Sequence, residues 1–505
     1  MSNFVYYSDF GAVGDGKTND FYSMKAAHAY ANEIGATVKA DPDATYYVGK
    51  TAGESITVKT STDFQGASII IDDSFISPDD PERTAPVFII KNEKEPITYD
   101  KNGAPVKILS EFCPFDIDTK SIPFAPGYPA MIIPYDEGKK VYKRLGATSN
   151  SGADQHELIV IDKYGVINPD TPVLIPYENV TKLVVYRIDD EPICFENARI
   201  TTIANRASRE YTYYARNIHI KRSNVTVRGI EHYIEGEGED GAPYAGFINP
   251  IGVNNLLVEN CLLSGHKTYW ENSKRSLMGS YDIGGVNSNK LYYKNCKQVN
   301  FYNPDGSIKT GIWGIMGSNY CKNITYDNCL LTRLDAHAGV YNATILNSTL
   351  TSIRLTGGGK FTIKDSTVYG NLMLSLREDY GCTWRGDVEI ENVRLKNTSE
   401  KAYIFGARFY EHHNFGYQAY YPENIKIKGL SLDVPAKTFV YNDITPQGDF
   451  DITAPKVTVN GELKDNLNQM IITKTVTAED IDESVTELIA SEDTVLNSQL
   501  EITRI

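Results

Sequence analysis

No run of about 18 apolar residues occurs in the chain, so no segment reads as a membrane-spanning helix. The first residues, Met1 to Asp9, lack a basic start followed by an apolar stretch, and no secretory signal is expected. A cytoplasmic protein, one that leaves the cell by another route and a trimmed secreted chain all fit that absence. There is no C-x-x-C pair among the seven scattered cysteines. The odd count and the spacing favour buried free thiols over a disulfide framework or a zinc site. Positive charge is in deficit, with 50 Lys and Arg against 65 Asp and Glu and a formal net charge of −15. That balance argues against nucleic acid, whose binding needs a basic surface to neutralise phosphates. Tryptophan is scarce, 3 residues against 34 tyrosines, and tyrosine is first of all a good strand residue.

At 505 residues and 41% hydrophobic, the chain can bury a large core. Asp9 to Asp20 (DFGAVGDGKTND) is Gly-rich turn material ending in good helix N-caps. From Phe21 to Ile34, Met24, Ala27, Ala31 and Ile34 recur at helical spacing, and Gly35 is a C-cap. Thr37 to Ala40 and Tyr46 to Val48 read as short strands around Pro42. The stretch Asp9 to Val48 resembles the N-terminal signature of the pectate lyase superfamily and the polygalacturonase-like β-helix proteins, with Ala44 where their usual Gly precedes Tyr. The resemblance implies an all-β chain, a right-handed single-stranded parallel β-helix with an N-terminal capping helix. It does not choose an activity, because lyases, hydrolases, epimerases and phage tailspikes share that signature.

Internal repetition points the same way independently. Asn255–Leu263, Lys290–Cys296, Asn323–Leu331, Ala343–Leu350, Lys360–Val368, Asp387–Leu395 and Asn424–Leu432 are each a short alternating strand, a polar turn residue and a second strand. Asn at the turn tolerates left-handed backbone, stacked Asn side chains can bond along the axis, and the Cys, Ser or Val that follows points inward. Between Pro86 and Ser208 the rhythm changes. Glu157–Asp162, Pro172–Pro176 and Lys182–Arg187 read there as strands of an inserted, antiparallel β-region packed on the first coils. Four regions follow: 1–85 the cap and first coils, 86–208 the insertion, 209–434 the main coil stack, and 435–505 a C-terminal strand or cap region. Within the last, the charged stretch Ala478 to Glu492 looks helical.

Coils about 4.8 Å apart place equivalent residues in columns. Lys267, Tyr302, Asp335 and Arg354 form one expected outward column, with Tyr269 and His337 two residues further on and Ser375 and Arg377 near the same face. Asp335-Ala-His337 puts an acid where it can orient or charge an imidazole. The triplet loosely resembles the DPHD segment of mannuronan C5-epimerases, although Ala336 and Ala338 replace its Pro and last Asp. The plainer reading is a surface ion pair. Asp379, Tyr380, Trp384 and Arg385 form a second cluster, in which Trp384 would stack on a sugar and Arg would hold a carboxylate or hydroxyls. A loop closed by its own salt bridges reads equally well. His266, Lys267, Tyr269 and Trp270 with Tyr281 and Asp282 make a third cluster. The acidic loop Glu235 to Tyr244 is the one Ca²⁺ candidate, a solvated loop being the plainer reading, and no cofactor is otherwise expected.

Hydrolysis needs two carboxylates about 5–5.5 or about 6.5–9.5 Å apart. The polygalacturonase Gly-His-Gly is Gly265-His266-Lys267 here, and no second acid shares the column of Asp335. Proton abstraction beside a uronate carboxylate, leading to elimination or epimerisation, needs cations and a base instead. Arg354, Arg377 and Lys267 would serve as the cations, and His337 or Tyr302 as the base. The expectation is therefore a polysaccharide-active β-helix with lyase-like chemistry. A glycosidase is the first alternative, and a non-catalytic tailspike or adhesin, for which a homotrimer would fit, is the second.

Overall fold

The computed structural model describes residues 4–103, 106–144, 149–189, 191–210, 212–270, 277–407, 419–442, 457–458, 470–471, 473–492, 497 and 500–505. Among these, one sheet of 24 strands and two further sheets of seven and four strands are built from parallel pairs. Together they wind into a right-handed parallel β-helix, the hand that crossover connections between parallel strands almost always take. Most strands are short because each face of the coil is narrow, and alternation sends every second residue inward. One inward column runs Val225, Leu256, Leu291, Ile324, Ala343, Phe361, Val388, Ile425, Val476, paired in register from coil to coil. All nine are buried. Burying an aliphatic side chain of this size stabilises by about 1.5–3 kcal/mol, and the column repeats that gain on every rung.

The turns are held by the residues singled out in the repeats. Asn260, Asn295, Asn328, Asn347 and Asn392 have φ between +49° and +54°. The Asn295 amide donates to Asn260 at 3.0 Å and Asn328 donates to Asn295 at 2.8 Å. Cys261, Cys296 and Cys329 follow them, buried and free. A second amide ladder, Asn254–Asn289–Asn323–Asn342, runs along another corner at 2.8–2.9 Å.

The helix α1 spans Phe21–Ile34 and ends at Gly35 with φ +69°. Its buried face is Phe21, Met24, Ala27, His28 and Ala31, closing the open end of the first coils, whereas Ile34 is exposed. Asp20 does not cap with its side chain. Its carboxylate instead takes the backbone N–H groups of Val13 and Gly14, tying the Gly-rich turn to the helix start.

The insertion is a five-stranded antiparallel sheet of Ile97–Asp100, Ala130–Val141, Ala153–His156, Ile159–Ile161 and Lys182–Arg187 with its own core. Two expectations are corrected here. Pro172–Pro176 pairs in no sheet, because the Glu157 carboxylate takes the N–H groups of Leu174 and Ile175. The insertion also does not lean only on the first coils; it reaches the middle ones through Lys290–Asp170 (2.9 Å), Lys322–Glu157 (2.8 Å) and Arg144–Asp379 (2.7 Å).

At the other end, the stretch expected to be helical is two strands, Thr475–Glu479 and Val485–Ser491. They extend the coil by pairing with Asn424–Lys428 and Ala436–Tyr441. Val476, Ala478, Leu488 and Ala490 fill the core while Glu479 and Glu487 meet Lys428 and Lys437 of the preceding coil. Ladder pairing outweighs the helix preference of the glutamates.

Candidate functional site

The strand Arg333–Leu346 sends Leu334 and Ala336 into the core and leaves Arg333, Asp335 and His337 on the outer face. Asp335 pairs in register with Arg354, and Arg354 with Ser375. Three coils therefore deliver Asp335, Arg354 and Arg377 to one spot.

Asp335 is not an exposed acid there. It is fully buried, with Arg377 Nη1 at 2.6 Å, Arg333 Nη1 at 3.1 Å and His337 Nε2 at 3.4 Å. Burial alone would raise its pKa, but His337, Arg377 and Arg333 outweigh it and hold the carboxyl well below the usual range. Arg377 is buried too and grips Asp379 through two bonds of 2.8 and 2.6 Å. Burial disfavours its charge, but Asp335 and Asp379 more than offset that and push its pKa upward. Arg144 of the insertion bonds the same Asp379. Burial would raise Asp379 as well, yet Arg377 and Arg144 hold it low.

Two groups remain available. Arg354 is partly exposed, and no described residue hydrogen-bonds its guanidinium. Burial and the like charges of Arg333 and Arg377 hold its pKa below the ordinary value, so a carboxylate brought to it would meet a poorly compensated cation. His337 keeps 19% of its side chain exposed. Its Nε2 lies 2.9 Å from the Tyr281 hydroxyl and also faces Asp335, while Nδ1 has no hydrogen-bond partner among the described residues. The Arg333 guanidinium carbon lies over the Trp313 ring, 4.0 Å from its centre.

The other expected site residues part company. Lys267 and Tyr302 leave the ladder in loops, so they do not share the column of Asp335. Lys267 bonds the Gly238 carbonyl and pairs with Glu239. Tyr269 is buried beneath it. Tyr302 faces Tyr369 at 3.4 Å, away from His337. Trp384 is fully buried, edge-on to Phe361 in the coil interior, and has no face to offer a sugar. Tyr380 is buried between Arg144 and Arg377. Arg385 is exposed and rests on Tyr420 at 5.4 Å. In the third cluster Tyr281 reaches His337, whereas His266 and Asp282 are internal, Asp282 held by His232 at 2.5 Å and by the Ser264 N–H. The acids of the 235–244 loop meet protein groups: Glu237 takes the Lys267 N–H, and Asp240 pairs with Arg209.

Sequence reasoning missed the insertion's share. Between it and the coils lies a cleft of about 640 Å³, roofed by Tyr142, Leu174 and Ile175 and floored by Tyr320, Tyr341 and Gly357–Gly359, with Arg385 and Tyr420 at its edge. Gly339, two residues past His337, lies beneath the Tyr142 ring, where a Cβ would come within 2.3 Å of its hydroxyl. Tyrosine abundance and the Gly-Gly-Gly run were the visible signals.

No protein-family model matches the chain, and no curated protein matches it in sequence. Among solved structures it is similar to the tailspike protein gp49 of Pseudomonas phage LKA1, at 12% identity and TM-score 0.52, over 99% of this chain and 84% of that one. It also matches PfbA, a surface adhesin of Streptococcus pneumoniae, at 12% identity and TM-score 0.41 over 99% and 91% of the two chains. A hyperthermoactive exopolygalacturonase from Thermotoga maritima matches at 10% identity and TM-score 0.36 over 86% and 89%. The first likeness bears on the fold alone, and the other two carry no further argument.

Proposed function

We propose that the protein is a polysaccharide-active β-helix that cleaves a uronate-containing glycan by proton abstraction, with His337 as base and Arg354 as the group that receives the uronate carboxylate. The observation that carries this reading is the pairing, on neighbouring coils, of a guanidinium and an imidazole Nδ1 that have no hydrogen-bond partner among the described residues. His337 takes the C5 proton, the electron pair forms the C4–C5 double bond, and the C4–oxygen bond breaks, the leaving oxygen gaining a proton from solvent. Arg354 stabilises the charge that builds on the carboxylate, and Asp335 stabilises the imidazolium. Reprotonation at C5 from the opposite face would give epimerisation instead.

Hydrolysis fits this centre less well. A general acid needs a raised carboxyl pKa, and Asp335 and Asp379 are both lowered by arginines. A panel of uronate-containing and neutral polysaccharides tests the reading. Ultraviolet-absorbing unsaturated products that disappear in His337→Gln support elimination. New reducing ends without that absorbance would assign a hydrolase, and binding without any product a glycan-binding protein.

A further inference from the structure

The cleft beneath the inserted sheet differs in character from the arginine cluster. We propose that it binds an uncharged pyranose segment, a hexose or N-acetylhexosamine, so that the glycan is a heteropolymer of charged and uncharged units. The cleft assignment stands on its own lining; only the neighbouring charged unit rests on the proposed function.

Its volume of about 640 Å³ suits a few sugar rings rather than a water-filled gap. Its charges cancel. Lys322 and Glu157 face each other at 2.8 Å, both buried, and Glu423 pairs with Lys474 at 3.3 Å. Arg385, resting on Tyr420, is the lining cation without a carboxylate partner among the described residues. A homopolymer of uronates would bring carboxylates into this space with one cation to meet them. A neutral ring instead finds tyrosine faces for its C–H side and hydroxyls and a guanidinium for its oxygens.

Backbone strain marks the same place. Tyr142 has φ +52° and Tyr320 φ +57°, a left-handed conformation that L-residues rarely adopt. Elsewhere asparagine mostly fills such positions. The two rings, one from the roof and one from the floor, meet at 5.6 Å and 62°. At Gly357 a Cβ would stand 2.0 Å from the Val340 carbonyl, so close strand approach forbids side chains there and leaves the floor bare. Tyr341 is four residues beyond His337 on one strand, at most about 13 Å away, so one chain can occupy both places.

Calorimetric titration with cellohexaose, maltohexaose and chitohexaose, with hexagalacturonate as the charged probe, tests this. At least one neutral hexamer should bind, and weaken about tenfold in Tyr420→Ala and in the cleft-filling Leu174→Trp. Thermal melting confirms that each variant is folded. Failure of every neutral hexamer to bind, or binding indifferent to Leu174→Trp, overturns the proposal. Neutral binding lost in Leu174→Trp, with no reaction on any uronate polymer, would leave the cleft standing and remove the reaction centre.

Discussion

Asp335 is first a counter-ion. Removing its charge leaves the buried Arg377 with Asp379 alone and takes the carboxylate from the partly buried Arg333, which costs about 3–5 kcal/mol. Asp335→Asn should therefore melt well below the parent, whereas His337→Gln should melt with it and lose turnover by about 10²–10⁴-fold. Because the folded carboxyl is held low, its contribution is present above the unfolded value of about 3.9 and lost as pH falls through the folded one. Urea titrations below pH 4 should accordingly show a flatter stability curve for Asp335→Asn than for the parent. Alternation along Arg333 to His337 revealed which side chains face outward. It could not reveal that Arg377, arriving two coils later, covers the acid. Trp384 shows the converse: after the Cys382 turn at φ +52°, the strand resumes with the indole inward, a phase set by backbone geometry rather than by composition.

At the scale of elements, the capping helix carries a built-in acid sensitivity. His28 is buried on α1, bonded to the Tyr7 hydroxyl at 2.8 Å, and burial lowers its pKa to about 3. The unfolded segment takes a proton near pH 6.5, so the helix loses stability as pH falls from there toward 3. Hydrogen exchange should show α1 opening before the coils in acid, and His28→Gln should remove that difference. The amide ladders have a parallel test. Asn295→Ala forfeits two bonds, to Asn260 at 3.0 Å and from Asn328 at 2.8 Å, and leaves in left-handed backbone a residue without the polar side chain that lets asparagine tolerate it, about 1–3 kcal/mol lost by chemical denaturation. Asn295→Gly should lose less, since only the bonds are missing. The Asp9–Val48 signature and the Asn turns made the cap and coils legible. The strands Thr475–Glu479 and Val485–Ser491 were not, because their glutamates are outward partners of lysines a coil earlier, a relation invisible along the chain.

For the molecule as a whole, the coil stack and the inserted sheet are stabilised in different ways. Coils share a continuous core, whereas the insertion has its own and meets the coils through ion pairs and ring contacts. Glu157→Gln would leave Lys322 buried without its carboxylate, at about 3–5 kcal/mol. Proteolysis should then cut the 97–187 sheet sooner while the coils resist. The insertion's antiparallel character was readable from its broken rhythm. Its seat over Lys322 and Asp379 was not, since Glu157, Asp170 and Arg144 look like ordinary surface charges until their partners arrive from residues 290 to 379.

The glycines of the cleft floor and the Leu174–Ile175 roof answer to different constraints. Gly357 is compelled by the strand beside it, so a side chain there would push against the Val340 backbone of the neighbouring rung. Leu174 and Ile175 hang from backbone bonds to Glu157, so their side chains are carried by the insertion and not by a rung of the stack. What the cleft accepts can therefore be altered from the roof while the stack beneath is left as it is.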